Sequence, residues 1–415
     1  MEISGDDIAD VVLKQFDSWE KKRKPVVRTN GVREWVPLSG IVAQGKNGFT
    51  CLAAATGMKC LPQKSIPQAQ GVVLHDWHAE VLAIRSFNRF LLEECHSLAL
   101  SKKRSSEYVR VRDEHERTES HFQPFALKEG INLHMYCSEA PCGDASMELT
   151  MASQDDATPW SLPPATDSLS PETPHIPASA PEPILHGRSY FSALGIVRRK
   201  PSRPDAPPTL SKSCTDKLAL KQSTSLLSSP TSLLISPANI YIHTLVLPAS
   251  QLSSTAVTRA FAPSGRLEPL VGKQWAGGYA FKPFRVLATE KEFAFSRRSA
   301  TDVVPSNIAS SWTPNGSETL IGGTLQGRKQ FDVRGASRVC KRRMWKLALE
   351  VAVAVAVAAG VPAVERCLRM EEYGDLKGAV LLDRRRRVKG DVRAVLGGWV
   401  RNEGGEGFGV EGVEV

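Results

Sequence analysis

Leu74-His75-Asp76-Trp77-His78-Ala79-Glu80-Val81-Leu82-Ala83 marks the point where a polar, turn-rich segment gives way to apolar residues at helical spacing. Val81, Leu82, Ile84, Phe87, Phe90 and Leu91 recur along one face, which predicts a helix over 80–92 with His78 at its amino terminus. A histidine there can offer a neutral imidazole to a metal ion. A carboxylate two residues on, Glu80, can stay off the metal and carry protons. Such a triplet alone arises often by chance; its weight comes from a second donor in a second turn, at Pro141-Cys142.

Working outward, Gly130–Met135 reads as a strand running into Tyr136-Cys137-Ser138-Glu139-Ala140-Pro141-Cys142-Gly143-Asp144-Ala145-Ser146. Proline directly before a cysteine suits a helix start, where its missing N–H is no loss and amide donors favour a thiolate. Upstream, Leu38–Ala43 and Phe49–Ala55 flank Gln44-Gly45-Lys46-Asn47-Gly48, the pattern of a hairpin. Before them, Asp6–Lys22 carries Ile8, Val11, Val12, Phe16 and Trp19 at helical spacing, then Lys21-Lys22-Arg23-Lys24 and Pro25. Residues 1–37 are therefore expected to form an amphipathic helix and a basic linker, the basic cluster reading first as a solvated helix end. Strands alternating with helices, two of whose starts bring His78 and Cys142 together, suggest an α/β sandwich.

Downstream, Pro159–Pro183 holds eight prolines among Ser, Thr, Asp and Glu. About Met151–Leu185 is therefore expected to be a disordered Pro/Ser-rich insertion, with order resuming near Tyr190. Lys200–Pro208 is another proline-rich loop, and Ile240–Leu247 is a strand closed by Pro248. Positions 260–330 are turn-rich with no clear period, and a helix is expected over Arg338–Val357. The Gly/Glu-rich tail from Asn402 is expected to fray except around Phe408, with 409–415 flexible.

The chain has 415 residues, a net charge of +9 and 41% hydrophobic residues, so it can bury a sizeable core. Its basic balance favours a polyanionic partner, nucleic acid first. Eight cysteines at irregular spacing do not form a disulfide framework. The acidic, polar amino terminus is no signal peptide, and the apolar run Val351–Val364 is too short for a membrane span. An intracellular, reducing compartment, nucleus or cytoplasm, is the expectation.

His-x-Glu followed by Pro-Cys is the signature of zinc nucleobase deaminases, which commonly place a second cysteine three residues after the first. Here that position is Ala145. Cys137 and Cys214 are the candidates for the missing donor. Context favours Cys214, which follows a loop and opens a helix-like segment as Cys142 does.

The order of blocks is where a resemblance becomes specific. His78-Ala79-Glu80, Pro141-Cys142-Gly143-Asp144-Ala145-Ser146 and Ser213-Cys214-Thr215-Asp216-Lys217 resemble, in order, the three blocks of the RNA adenosine deaminases (editases). Thr56-Gly57-Met58-Lys59-Cys60, Lys200-Pro201-Ser202-Arg203-Pro204-Asp205, Ser337-Arg338-Val339-Cys340-Lys341 and Tyr373-Gly374-Asp375-Leu376-Lys377 add to it, so the likeness covers about 38–408. It is greatest to the tRNA-specific branch and looks fungal; the 37 residues ahead of the first strand are too few for a double-stranded-RNA-binding domain.

The resemblance implies a cytidine-deaminase-like mixed sheet sandwiched by helices and extended by a C-terminal helical region. It implies zinc on His78, Cys142 and Cys214, Glu80 as proton carrier, and conversion of adenosine to inosine in tRNA. The expected base is the one 3′ of the anticodon (A37), recognised through the anticodon stem-loop, with neither DNA nor a membrane as partner. It also implies a buried inositol hexakisphosphate. The residues assigned to it are Lys59, Arg85, Lys217, Lys341, Tyr373, Lys377 and Trp399, with Lys341 on the same helix face as Trp345, Ala348, Ala352 and Val355. The sequence departs from the family at Ile84, where an arginine is usual, at Leu220-Lys221 in place of an Arg-Trp pair, and in the 200–205 loop, which has lost its glycines. The alternatives are a deaminase of another RNA and an RNA-binding pseudoenzyme.

Overall fold

A computed structural model describes residues 3–153, 185–186, 193–200, 206–359 and 362–412. Eight strands make the central sheet: β1 (Leu38–Gly45), β2 (Gly48–Thr56), β3 (Asn132–Cys137), β4 (Ile242–Pro248), β5 (Arg285–Thr289), β6 (Ile308–Thr313), β7 (Gly316–Ile321) and β8 (Thr324–Leu325). Their order is β5-β4-β3-β1-β2-β6-β7-β8. The β5–β4 and β4–β3 pairs are parallel and the rest antiparallel, which makes the sheet mixed. The expected hairpin is present, with Gly45 paired to Gly48 so that only Lys46-Asn47 turn the chain.

Alternation along the strands divides the core in two. On β3, Leu133, Met135 and Cys137 face one side and Tyr136 the other; on β4, Leu245 and Leu247 oppose Val246. The Tyr136 side is covered by α1 (Gly5–Asp17), capped by Ser4 and burying Ile8, Ala9, Val12 and Phe16. Gly40 permits that approach, since a Cβ there would lie 2.6 Å from the Val12 methyls. The larger core on the other side holds α2 (Ala79–Ser101), α4 (Cys214–Thr224), α5 (Ser229–Leu234) and α6 (Ser254–Phe261) near the sheet, while the short α3 (Met147–Ala152) buries Met147 and Thr150. The C-terminal helices α7 (Lys341–Ala359), α8 (Pro362–Leu368), α9 (Tyr373–Gly378) and α10 (Asp383–Val395) extend it. Among the described residues no helix is long and apolar enough to cross a membrane.

Several boundaries differ from the sequence reading. The helix expected from Arg338 begins at Lys341, because Ser337–Cys340 forms a turn tied by the Ser337 hydroxyl and the Arg338 N–H to Glu318. Its apolar face is as expected, with Trp345, Ala348, Ala352 and Val355 buried. Residues 260–330 contain four of the eight strands; Ser310, Ser311 and Thr319 are buried polar residues within β6 and β7, which hides their period. The tail does not fray: Phe408 is buried, its carbonyl accepts from Tyr373 N–H, the Glu406 carbonyl accepts from Gly374 N–H, and Val410 packs on the core. Most of the expected insertion, 154–184, lies outside the described residues, as do Tyr190 and 413–415. Met151 and Ala152 end α3, and Leu185-His186 pair with Arg198-Arg199.

Candidate active site

His78 is the N-cap of α2, so its side chain leaves the helix axis while Glu80 occupies the first turn. The start of α2 is fastened to the end of β2: Ala79 N–H donates to the Gly57 carbonyl at 2.9 Å and Trp77 N–H to that of Lys59 at 3.0 Å. Gly57 has φ +149, and a Cβ there would come within 2.1 Å of the Trp77 carbonyl oxygen, so only glycine fits. Glu80 is buried. Burial, then the neighbouring Cys142, raises its pKa to about 7 against the opposing pull of Lys200.

The second and third turns meet each other. Cys142 does not open a helix as Pro141 suggested. Gly143 takes φ +108, outside the helical region, and caps a short 3-10 turn, Asp144–Ser146, that precedes α3. Contact dictates this shape: a Cβ on Gly143 would lie 2.3 Å from the Ser213 hydroxyl oxygen. Cys214 does open a helix, α4, with Ser213 as its cap. Its N–H donates to the Cys142 sulfur at 3.3 Å, and the Thr215 hydroxyl donates to the Pro141 and Cys142 carbonyls at 2.9 and 3.0 Å. Of the two candidate third donors, Cys214 is the one brought to Cys142. Cys137 lies in the core near Glu80, its sulfur accepting from the Ser39 hydroxyl at 3.4 Å.

A buried polar chain joins these turns. Lys200 donates to the Cys214 sulfur at 3.2 Å and to Asp76 Oδ2 at 2.9 Å. Asp76 Oδ2 also receives Lys217 and the Ser211 hydroxyl, and Oδ1 receives the His78 N–H at 3.0 Å. Burial would raise Asp76, but Lys200 and Lys217 outweigh it and hold the carboxyl well below the usual range. Burial likewise works against the charge on Lys200, and Asp76 with the two sulfurs raises it well above the ordinary value. Burial, then Lys200, brings His78 down to about 3, so its imidazole is neutral. The ring Nδ1 faces Asp76 Oδ1 at 3.2 Å and the Cys60 sulfur at 3.8 Å. Cys60, Asp76 and His78 are the described residues whose metal-capable atoms all fall within 4.8 Å of one another. That set suits a cation poorly, because two ammonium groups already occupy the Asp76 carboxylate.

The model of the adenosine-deaminase (editase) domain matches residues 53–402. The chain belongs to that family. This editase is 40% identical over 354 residues to the tRNA-specific adenosine deaminase 1 of Schizosaccharomyces pombe, spanning 83% of this chain and 84% of that protein. To the protein of the same name from Saccharomyces cerevisiae it is 35% identical over 228 residues, about half of each chain. To the double-stranded RNA-specific editase Adar of Drosophila melanogaster it is 25% identical over 334 residues, covering 79% of this chain and 44% of that one.

Below the active-site turns the editase gathers cations. Lys341 donates to the Gly405 carbonyl at 2.9 Å and sits 5.7 Å from the Tyr373 ring; burial, then Arg85 and Lys377, brings its pKa down to about 7. Lys212 is brought to about 7 by burial, then Lys217 and Arg393. Lys221 and Lys389 are held well below the ordinary lysine value by burial and by each other's neighbours, Arg385 among them. Trp399 lies between Lys212 and Arg393, its ring 5.6 and 5.7 Å from them. Arg85, Lys341, Tyr373 and Lys377 lie together, Lys217 lies between Asp76 and Lys212, and Trp399 lies beside Lys212. Lys59 does not join them; its ammonium meets the Asn307 side chain in an exposed contact. Sequence reasoning missed Lys212, Lys221, Arg385, Lys389 and Arg393, and the roles of Asp76 and Lys200. Lys221 stands at one of the family departures, and it brings a cation to the cluster.

Proposed function

We propose that this editase is a zinc-dependent hydrolytic deaminase that converts adenosine to inosine in tRNA, at the base 3′ of the anticodon. The observation that carries the reading is Glu80, buried beside the adjoining Cys142 and Cys214 with its pKa near 7, where a carboxylate can both take and return a proton. The donor set of His78, Cys142 and Cys214 fits zinc: a neutral imidazole, two sulfurs on adjoining turns, and Lys200 beside one sulfur to favour its thiolate. Zinc bound there supplies the Lewis acidity that brings water's pKa toward neutrality. Glu80 then takes the proton of the water adding to C6 and delivers protons to N1 and the departing amine; the C6–O bond forms, the C6–N bond breaks and ammonia leaves.

The relatives' names favour tRNA, the net charge of +9 favours a polyanion, and a base in an anticodon loop is already partly unstacked, so it is cheaply extruded. The buried cation cluster supports inositol hexakisphosphate as a structural cofactor, because Glu406, on Lys377, and Asp76, on Lys217, still leave Lys212, Lys221, Lys341 and Lys389 opposed by neighbouring cations. None of the eight cysteines is in a disulfide, which suits a reducing nuclear or cytoplasmic setting. The test is incubation with unmodified tRNAs, scoring inosine by sequencing and nucleoside mass spectrometry. Inosine at the anticodon-adjacent adenosine is expected. Inosine only in other RNAs, or zinc binding without turnover, would turn the reading to a different RNA substrate or to a pseudoenzyme.

A further inference from the structure

Each cysteine turn carries an aspartate two residues after its cysteine, Asp144 after Cys142 and Asp216 after Cys214. Both carboxylates are fully buried; each takes an arginine from the stretch 259–266, and the buried Arg198 lies near both as well. Arg259, in the last turn of α6, donates through Nε to Asp144 Oδ1 and Oδ2, both at 3.1 Å, and through Nη2 to the Asp144 carbonyl at 3.0 Å. It also pairs with Glu148 on α3. Arg266 donates through Nη1 to Asp216 Oδ1 at 2.7 Å, while Asp216 Oδ2 takes the Ser213 hydroxyl at 2.6 Å and the Arg198 N–H at 3.0 Å.

The spacing between the two guanidinium groups is fixed by backbone. Arg266 N–H donates to the Arg259 carbonyl at 2.9 Å and Gly265 N–H to that of Ala262 at 2.9 Å, folding the chain back on the end of α6. A Cβ on Gly265 would lie 2.4 Å from the Thr258 and Arg259 carbonyl oxygens, so the fold-back is tight enough to need glycine. A planar guanidinium on a carboxylate fixes direction as well as distance. Thr215 stitches the turns together at the front; the 259–266 element grips both from behind.

We propose that Arg259 and Arg266 are positioning residues that set the separation of Cys142 and Cys214 for metal binding. The inference rests on the reading of these cysteines as metal ligands. Two thiolates side by side repel, and a turn free to relax would let them part; two carboxylates clamped by one rigid element oppose that. Partners one step behind metal ligands typically matter by 10–100-fold in metal affinity.

The test uses the full chain as Arg259→Lys and Arg266→Lys, which keep charge and lose the planar fork. Three readouts are zinc affinity by chelator competition, the sulfur-to-cobalt charge-transfer band of the cobalt-substituted protein, and the thermal midpoint. Each variant is expected to weaken zinc by about tenfold or more and to shift the cobalt band, with KM for RNA unchanged and kcat lowered. Folded variants with wild-type affinity and band overturn the proposal. So does loss of metal only in step with loss of folded protein, or failure of both lysine variants to fold, since the arginines then serve the fold alone. Wild-type protein that binds neither zinc nor cobalt overturns instead the metal reading itself.

Discussion

Raising the pH from 7.0 to 8.0 should stabilise the protein free of polyanion relative to the same protein saturated with inositol hexakisphosphate. Lys341 and Lys212 both sit near pKa 7 when folded and near 10.5 as free side chains, burial being the first cause in each and neighbouring cations the second. Between those values the unfolded chain binds more protons than the folded one, so stability rises with pH through the window. A complete shift is worth about 1.4 kcal/mol per pH unit. Because folded titration is only half complete at pH 7, the gain from 7.0 to 8.0 is about 1 kcal/mol for each lysine, about 2 kcal/mol together. For 415 residues that is about 2 °C in Tm. Lys221 and Lys389 are depressed further and add in the same direction. A bound polyphosphate restores the charged form of each lysine and closes the window. The assay is thermal unfolding at pH 7.0, 7.5 and 8.0, with and without saturating inositol hexakisphosphate, taken as the difference between the two samples. The buried thiols, which oppose stability as the unfolded chain ionises near pH 8.5 and above, cancel in that difference. A difference that is flat with pH, or runs the other way, would refute the claim that the cluster is uncompensated positive charge.

Glu80→Gln should retain zinc, read by metal analysis, and lose about 10²–10⁴-fold in the rate of inosine formation; a variant that still turns over would remove Glu80 as proton carrier. Gly143→Ala forces a left-handed φ on alanine and drives its Cβ against Ser213, so a loss of about 2–3 kcal/mol by denaturant unfolding and weakened zinc are expected together. Unaltered stability there would mean the two cysteine turns are not in contact. Trp345→Ala empties a fully buried site and frees the Leu368 carbonyl it bonds at 2.8 Å; about 3–5 kcal/mol of stability should go. A change below about 1 kcal/mol would show that α7 and α8 are not packed as described.

What could be read without coordinates was whatever repeats locally or follows a fixed spacing. The helix after His78 and the apolar face of α7 lie in contiguous periods, and Cys214 was found because it repeats the context of Cys142. Cys142 itself was misread: Pro141 announced a helix, and Gly143, whose φ lies outside the helical region, mattered only through its contact with Ser213. Lys212 and Lys389 look like ordinary basic residues and Lys221 reads only as a departure from the family; the packing of α10 on α4 is what brings them together from segments about 170 residues apart. Lys59 failed in the opposite sense: it belongs to a recognisable block, yet its ammonium turns to Asn307. The tail from Asn402 has a composition that suggests fraying, but Lys212 holds the Asn402 side chain and Lys377 that of Glu406.

The Gly195 N–H donates to Asp144 Oδ1 at 2.7 Å, so the chain leaves the Cys142 turn and, 51 residues later, returns to the same carboxylate. A loop closed on itself in this way has ends whose positions do not depend on its length. Doubling or halving it alters only the entropy of closure, by about 0.6 kcal/mol. The Cys142 turn and the approach to Arg198 are therefore held to each other at Asp144 itself, a join that does not depend on how many residues separate its two sides.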